Sequence, residues 1–329
     1  MITFWVVALG LTILLYVLLD GFDLGVGILH LFNRDEADRR RMLAAVSPVW
    51  DGNETWLVLT GTILFGAFSK VFALALSAFY LPVLVGICAL VLRGVAFEFR
   101  SKATRTRRLW DVAFGAGSLV AAFVQGAAVG ALVRGLPIEN GVYTGGAFGW
   151  LSGYSVLCGA GLCVAYALLG AGWLAAKCDG DLRDKAFALL PRLLLGLLLF
   201  LAVAVAAALA AGLPIMGRWI ERPYLAVFPL LGAAAAWGLL DGVAKRRDLR
   251  PFLMGGLIFT AAFGAVAVSF WPYMVPFAIT VDEAASPPQS LWFMFWGAGL
   301  IALPLTLAYT AFAYRVFGGK IADSAAYDE

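Results

Sequence analysis

Four acids and one arginine stand out because they lie in or beside strongly apolar segments. They are Asp20, Asp23, Asp51, Glu54 and Arg93. Each such charge costs about 2.5–3.5 kcal/mol at the centre of a membrane helix on insertion scales, so it needs a partner, water or a function. A proton or ion path and a static salt bridge between helices are both consistent with this pattern.

The positions of three of these residues favour a path. Asp20 and Asp23 are three residues apart, so a helix places both carboxyl groups on one face. Glycines at 21, 25 and 27 allow a neighbouring helix to approach closely, so the acids can be packed in protein. Arg93 lies within a third apolar segment, where no helix cap is needed. We therefore expect these three side chains to meet inside the membrane.

The remaining charges have simpler alternatives. Asp51 and Glu54 open an apolar segment, and an acid in the first helical turn is favoured by the helix dipole. Glu98 and Arg100 end another segment and are explained equally well as markers of the membrane interface. The sequence alone leaves both interpretations open.

The composition identifies an integral membrane protein. The chain has 329 residues, of which 62% are hydrophobic and 14% charged, against roughly 25% charged residues in soluble proteins. Apolar runs long enough to cross a hydrocarbon layer of about 30 Å recur throughout. Met1 leads directly into such a run without a basic segment or cleavage site, so the first helix is expected to remain. We predict an all-α fold in which residues 1–329 form a single polytopic domain.

Apolar runs and helix breakers predict nine spans. Their approximate bounds are 2–30, 54–69, 71–98, 110–134, 148–176, 186–212, 223–244, 251–273 and 290–317. Helices one to four fall within 2–134, and helices five to nine within 148–317. The second span is short, and Ser69-Lys70 predicts only a tight turn into the third.

The basic residues predict the orientation. Most of the 24 lysines and arginines lie in alternate loops. These loops are 34–41, 100–108, 177–185, 245–250 and 315–320. The positive-inside rule assigns them to the cytoplasm, with the N-terminus outside and the C-terminus inside. The acids then lie in the cytoplasmic half of the first three spans, and we expect the outer half to be purely apolar.

The chain offers few ligands for a redox centre. It has one histidine, His30, six methionines without a pattern and four cysteines without a C-x-x-C pair. A protein that binds several haems needs several axial ligands. We therefore expect no catalytic, metal-binding or cofactor-binding residue in this chain.

Five segments resemble the signature stretches of subunit II of cytochrome bd-type quinol oxidases, including the cyanide-insensitive branch. The segments are Leu19–Gly27, Trp50–Trp56, Arg93–Lys102, Trp110-Asp111 and Trp271–Pro276. The resemblance implies two four-helix bundles plus one peripheral helix. It also implies a bacterial cytoplasmic membrane location and a heterodimer with a homologous-fold subunit I.

The resemblance further implies a division of chemistry between the subunits. Subunit I binds haem b, haem d and the quinol substrate, and the complex reduces dioxygen to water without pumping protons. Subunit II stabilises subunit I and ligates no cofactor. Membrane lipid, quinone and a small accessory subunit are implied as further partners, and nucleic acid is not.

The resemblance also implies a proton path that starts in the cytoplasm and, in some members, an oxygen path. The residues matching the proton path or adjoining it are Asp20, Asp23, Asp51, Arg93, Glu98 and Lys102. Trp56 matches a residue on the oxygen path. An aromatic residue at the membrane interface is the alternative for Trp56.

A proton-coupled secondary transporter is the alternative function, because transporters also place acids and arginine in membrane helices. They usually consist of two similar halves with polar residues in both. The spans from residue 186 onward are nearly free of charge here, which disfavours a transporter. A purely structural scaffold with interhelical salt bridges is the third class considered.

Overall fold

The structure of the protein is a computed structural model, which describes residues 1–321. It is built almost entirely of helices, in agreement with the predicted all-α class. The α-helices are α1 (Ile2–Phe32), α2 (Glu36–Val46), α3 (Trp50–Ala67), α4 (Ser69–Ala78), α5 (Tyr80–Lys102), α6 (Arg107–Arg134), α7 (Gly153–Lys177), α8 (Gly180–Ala210), α9 (Pro214–Glu221), α10 (Val227–Ala244), α11 (Arg250–Phe270), α12 (Val281–Ala284), α13 (Pro288–Met294) and α14 (Leu303–Val316).

Short elements complete the fold. A 3₁₀ turn at Pro223–Ala226 leads into α10, and a π-helix at Phe295–Ala302 joins α13 to α14. Two small antiparallel hairpins lie in loops. They are formed by β1 (Ile138–Glu139) with β2 (Val142–Tyr143), and by β3 (Tyr273–Val275) with β4 (Ile279–Thr280).

Within residues 1–321, eight helical stretches are long and apolar enough to cross a membrane. The pair formed by α3 and α4 is bent by 119° and raises the number to nine if it counts as a span. The nine predicted spans correspond to this upper number.

The predicted boundary between the second and third spans is wrong. A tight turn at Ser69-Lys70 was expected, followed by one helix over 71–98. Instead the chain bends at Phe68, and α4 is a separate helix of 10 residues. It cannot continue into α5, because the ring of Pro82 would collide with the carbonyl group of Ala78 in an unbroken helix. Pro82 is accommodated in the first turn of α5 instead.

The helix α1 lies at the centre of the fold and packs against α3, α6 and α7. It approaches α7 most closely at Gly25 and Gly170. A Cβ atom on Gly25 would lie 1.8 Å from the carbonyl oxygen of Tyr166, and one on Gly170 would lie 2.4 Å from the carbonyl carbon of Gly25. The two backbones are therefore in direct contact, which only small residues permit.

The end of α14 is held against α7 and the loop after α10. Lys177 Nζ donates to the carbonyl oxygens of Phe317 and, at 3.0 Å, Gly319. Lys320 Nζ lies 2.5 Å from Asp179 Oδ1 and 2.7 Å from Asp248 Oδ2. These contacts fix the segment after α14 beside the end of α7 and the loop after α10.

Candidate functional site

The deepest charges form one group, which we call the membrane cluster. It consists of Asp20, Asp23, Asn53, Glu54 and Arg93. Arg93 Nη1 donates to Asp20 Oδ1 at 2.8 Å, and Arg93 Nη2 lies 3.6 Å from Glu54 Oε1. Asp20, Asp23, Asn53 and Arg93 are at most 1% exposed, whereas the Glu54 side chain is 27% exposed.

Asn53 connects the second aspartate to a distant helix. Its Nδ2 donates to Asp23 Oδ2 at 2.7 Å, and its Oδ1 accepts from the hydroxyl group of Tyr314 at 3.0 Å. Asn53 Nδ2 also lies 3.3 Å from the carbonyl oxygen of Leu19. One amide side chain thus links α1, α3 and α14.

Three carboxylate oxygens of the membrane cluster are buried without a hydrogen bond from any described residue, and they are Glu54 Oε1, Asp20 Oδ2 and Asp23 Oδ1. The two aspartate oxygens belong to side chains that are at most 1% exposed. Buried polar atoms in proteins are nearly always paired, so each such atom needs an explanation. Both oxygens are able to accept a proton or a hydrogen bond from water.

Local structure explains how these side chains meet. The helical spacing of Asp20 and Asp23 directs both from α1 toward α3 and α5. Asn53 lies in the first turn of α3 and shares its face with Trp56 and Thr60, three and seven residues later. Arg93 reaches the cluster from the middle of α5.

Three of the predicted path residues lie outside the membrane cluster. Asp51, Glu98 and Lys102 all have exposed side chains. Asp51 is in the first turn of α3, and Glu98 and Lys102 are in the last two turns of α5. The structure brings Asp20, Asp23 and Arg93 together and leaves the other three at the surface of this chain.

Trp56 is fully buried at 0% exposure and packs in an apolar core with Trp5 and Leu9 from the beginning of α1. It therefore does not lie in an interfacial belt of aromatic residues. Its indole Nε1 has no hydrogen-bond partner among residues 1–321.

The expectation of a purely apolar outer half is wrong. Gln125 Nε2 donates to the hydroxyl group of Tyr16 at 2.7 Å, and the Tyr166 hydroxyl group donates to Gln125 Oε1 at 2.9 Å. Thr60 Oγ1 donates to Thr12 Oγ1 at 3.0 Å. Single polar groups on different helices hardly change the hydropathy of any one helix, so the sequence did not reveal these pairs.

A second group of charges joins α1, α2, α5 and α6. We call it the cytoplasmic cluster, after the side of the membrane that the basic loops predict for it. It consists of His30, Glu36, Arg39, Arg100, Arg107 and Asp111. Arg39 Nη1 donates to Asp111 Oδ2 at 3.0 Å, and Arg100 Nε donates to Asp111 Oδ1. Arg100 Nη2 donates to both carboxylate oxygens of Glu36, at 3.0 and 3.1 Å.

Sequence reasoning missed the cytoplasmic cluster, because its arginines were interpreted only as orientation signals. Arg100 is 5% exposed and Asp111 is 2% exposed, so neither is a simple marker of the interface. The sequence did contain one signal of this cluster, the pair Trp110-Asp111, which is one of the five segments that resemble the oxidase family.

The surroundings of His30 do not fit an axial ligand of a haem. His30 is fully buried, its Nε2 lies 3.4 Å from Asp111 Oδ1, and its ring packs edge-on against Phe114. This crowding leaves no space for an axial bond. In the part of the chain that the structure describes, no three His, Cys, Asp or Glu side chains are grouped so as to hold a metal ion.

The fold and the membrane cluster define a multi-pass membrane protein with ionisable groups paired at hydrocarbon depth. The family model described as cytochrome bd terminal oxidase subunit II matches residues 1–317. The chain belongs to this family. It is a subunit of a quinol oxidase of the bacterial inner membrane, and the family implies a partner subunit I.

Curated relatives agree with this assignment. The chain is 30% identical to the probable cytochrome oxidase subunit 2 of Haemophilus influenzae, over 92% of this chain and 90% of that protein. It is 29% identical to the cytochrome bd-I ubiquinol oxidase subunit 2 of Escherichia coli K12, over 96% and 94%. The identity to the cytochrome bd ubiquinol oxidase subunit 2 of Bacillus subtilis is 29%, over 96% of each chain.

A solved structure supports the fold. A chain of the bd oxidase from Geobacillus thermodenitrificans superimposes with a TM-score of 0.78 at 17% identity. The match covers 96% of this chain and 98% of that chain. The fold is therefore preserved although few residues are identical.

Proposed function

We propose that this chain stabilises the haem-bearing subunit I and delivers protons to it from the cytoplasm. Reduction of one dioxygen molecule to two water molecules consumes four electrons and four protons. In this proposal, subunit I holds haem b, haem d and the quinol site, which supply the electrons. The proposal is supported by the donor set of this chain, whose single histidine is enclosed in an ionic network.

The membrane cluster is the observation that carries the proposal. Asp20, Asp23 and Glu54 share one guanidinium group, that of Arg93. Full ionisation would leave two excess negative charges in a region from which water is excluded. Such charges are costly unless they are neutralised, and binding protons neutralises them. The cluster therefore has a physical reason to hold protons that it can exchange.

The exposed side chain of Glu54 indicates where the proposed proton path leaves this chain toward a partner subunit. Glu54 is the one carboxyl group of the membrane cluster that reaches the surface, between α3 and α5. A charged group that faces lipid at this depth is unfavourable, so we propose that subunit I covers this face. Asp51, Glu98 and Lys102 lie on the same two helices toward the cytoplasm and would then border the path on its cytoplasmic side.

The orientation completes the proposal. With the N-terminus outside and the C-terminus in the cytoplasm, the beginning of α3 and the end of α5 lie on the cytoplasmic side. The membrane cluster is then on the side from which an oxidase without a pump takes its protons. Trp56 and its apolar surroundings in the outer half are proposed as part of an oxygen path, since dioxygen partitions into apolar regions.

Substitution of the aspartates tests the proton path. Asp23→Asn keeps the shape and the hydrogen bond from Asn53 but removes the titrating group. We expect oxygen consumption per haem to fall about 10-fold or more, with unchanged haem b and haem d absorbance in the purified complex. Asp51→Asn should give a smaller reduction, because its side chain is exposed.

Asp282→Asn is the matched control, because Asp282 is an exposed acid in α12, outside the membrane cluster. It should leave turnover unchanged. Normal turnover in both Asp23→Asn and Asp51→Asn would contradict the proposed path.

A further inference from the structure

A small cavity lies between the first turn of α3 and the last turns of α14. Its walls include Val49, Gly52, Asn53, Thr310, Ala313 and Tyr314. The space available to the centre of a water molecule is about 10 Å³, which corresponds to roughly one water molecule. Because α3 begins and α14 ends on the proposed cytoplasmic side, the cavity lies at that side.

The cavity is lined by groups that lead to the membrane cluster. The hydroxyl group of Tyr314 donates to Asn53, and Asn53 donates to Asp23 Oδ2. Because Asn53 is itself in the cavity wall, the wall is one hydrogen bond from a buried carboxyl group. Thr310, also in the wall, has a hydroxyl group without a hydrogen-bond partner in residues 1–321. A polar wall of this kind suits water better than an apolar ligand.

Gly52 keeps the cavity open. A Cβ atom at this position would lie 3.2 Å from Cε1 of the Tyr309 ring, which is also in the wall. A larger side chain would therefore occupy the space between α3 and α14. The cavity also differs in location from the surface between α3 and α5, where Glu54 is exposed.

We propose that this cavity is the water-filled inlet through which Asp23 takes up protons from the cytoplasm, and that the Tyr314–Asn53 pair is its gate. This inference rests on the proposed function and names the entrance of the path. In the step itself, a hydronium ion in the inlet transfers one proton to the Asp23 carboxylate and becomes water.

Asn53 does not carry the proton in this account. Its amide group holds Asp23 Oδ2, and its displacement together with Tyr314 connects the inlet to Asp23 Oδ1, the oxygen that lacks a hydrogen bond. Tyr314 is suited to such movement, because its ring is held by edge contacts with Phe22 and Trp173 rather than by a second hydrogen bond.

Filling the cavity tests the inlet in the intact oxidase. Ala313 is buried in the cavity wall, whereas Ala311 lies on the exposed side of the same helix. We expect Ala313→Leu to reduce oxygen consumption per haem about 10-fold, and Ala311→Leu to leave it unchanged. Equal and normal turnover in the two variants would overturn the inlet.

A cysteine at the same position gives a second test that does not depend on a bulky side chain. In inverted membrane vesicles, Ag⁺, a thiol-reactive cation close to water in size, should label Ala313→Cys and reduce its turnover. The unsubstituted oxidase provides the background from Cys88, Cys158, Cys163 and Cys178, and Ala311→Cys should remain unlabelled in the lipid. Absence of labelling at Ala313→Cys, or labelling without loss of turnover, would overturn the proposal.

The two proposals fail in different ways. If Asp23→Asn is slow while Ala313→Leu and labelled Ala313→Cys are normal, the proton path stands and the inlet is overturned. If Asp23→Asn is itself normal, the proposed function fails first.

Discussion

The membrane cluster and the cytoplasmic cluster contain similar residues in opposite proportions. The membrane cluster has three carboxyl groups and one arginine, and three of its buried carboxylate oxygens have no hydrogen bond among residues 1–321. The cytoplasmic cluster has three arginines and a histidine around two carboxylates, and Asp111 accepts hydrogen bonds on both oxygens. Carboxyl groups that outnumber the cations and have oxygens without hydrogen bonds are suited to exchanging protons. Carboxylates whose oxygens all accept hydrogen bonds from arginine are suited to holding helices together permanently.

The difference suggests that burial of charge alone does not identify a functional site. Both groups contain carboxyl groups that are at most 2% exposed. The cytoplasmic cluster joins the end of α1, the end of α5, the start of α6 and the short helix α2, and its ion pairs hold these elements together. Both clusters reach the surface, through Glu54 and through Glu36, but only the membrane cluster has more carboxyl groups than cations.

Removal of Arg93 should have the largest effect. Arg93→Ala leaves Asp20 and Glu54 without their cation, and loss of one partner of a buried ion pair costs about 3–5 kcal/mol. We expect little assembled oxidase in the membrane, measured as haem d absorbance after purification.

The double variant Arg93→Ala/Asp20→Ala controls for the unpaired charge. It removes both members of the 2.8 Å pair and should recover part of the assembly. Normal yield of the single variant would show that the pair is not needed for folding.

Asp111→Asn should have an intermediate effect on stability and none on catalysis. The substitution removes the charge that holds Arg39 and Arg100, at a cost of about 1–3 kcal/mol. We expect a lower thermal unfolding midpoint of the purified oxidase, with unchanged oxygen consumption per haem. A proportionate loss of turnover would remove the distinction between the two clusters.

The smallest effect is expected at the ionic contacts beside the C-terminal end of α14. Burial raises the pKa of the Asp248 carboxyl group, but hydrogen bonds from Lys320 and Arg183 outweigh it and hold that pKa below its usual value. The stabilisation is therefore present at neutral pH and is lost as the pH falls through the folded-state pKa.

Asp248→Asn should lower stability at pH 7 by less than about 1 kcal/mol, as is usual for surface ion pairs. The difference from the unsubstituted protein should shrink below about pH 4. Thermal unfolding across this pH range measures it, and a difference that stays constant at acidic pH would contradict the assignment.

Some features of the site were predictable because they depend on local rules. The spacing of Asp20 and Asp23 predicted a shared helix face. The orientation that the basic loops predict, with both acids toward the cytoplasm, stays a prediction. The structure then brings these acids together with Arg93 from the third membrane segment. Subunit II family membership was also predicted, from five short segments, and is confirmed by the match over residues 1–317.

Other features depend on packing between distant segments and were not predictable. Tyr314 follows Asn53 by 261 positions, and nothing in its surrounding sequence marks it as a partner. The separation of α4 from α5 was detectable from Pro82, but continuous hydropathy across residues 71–98 concealed it. The pairing of Arg100 with Asp111 could be recognised only from the fold. Counting charges predicts the side of the membrane on which a loop lies, but it does not show which acid an arginine contacts.

The most direct test of the account compares oxygen consumption per haem in Asp23→Asn and Asp111→Asn of the purified oxidase. Each substitution removes one buried negative charge, one from each cluster. The account predicts a large loss of turnover in Asp23→Asn and none in Asp111→Asn. Normal turnover in Asp23→Asn, or equal losses in the two variants, would contradict it.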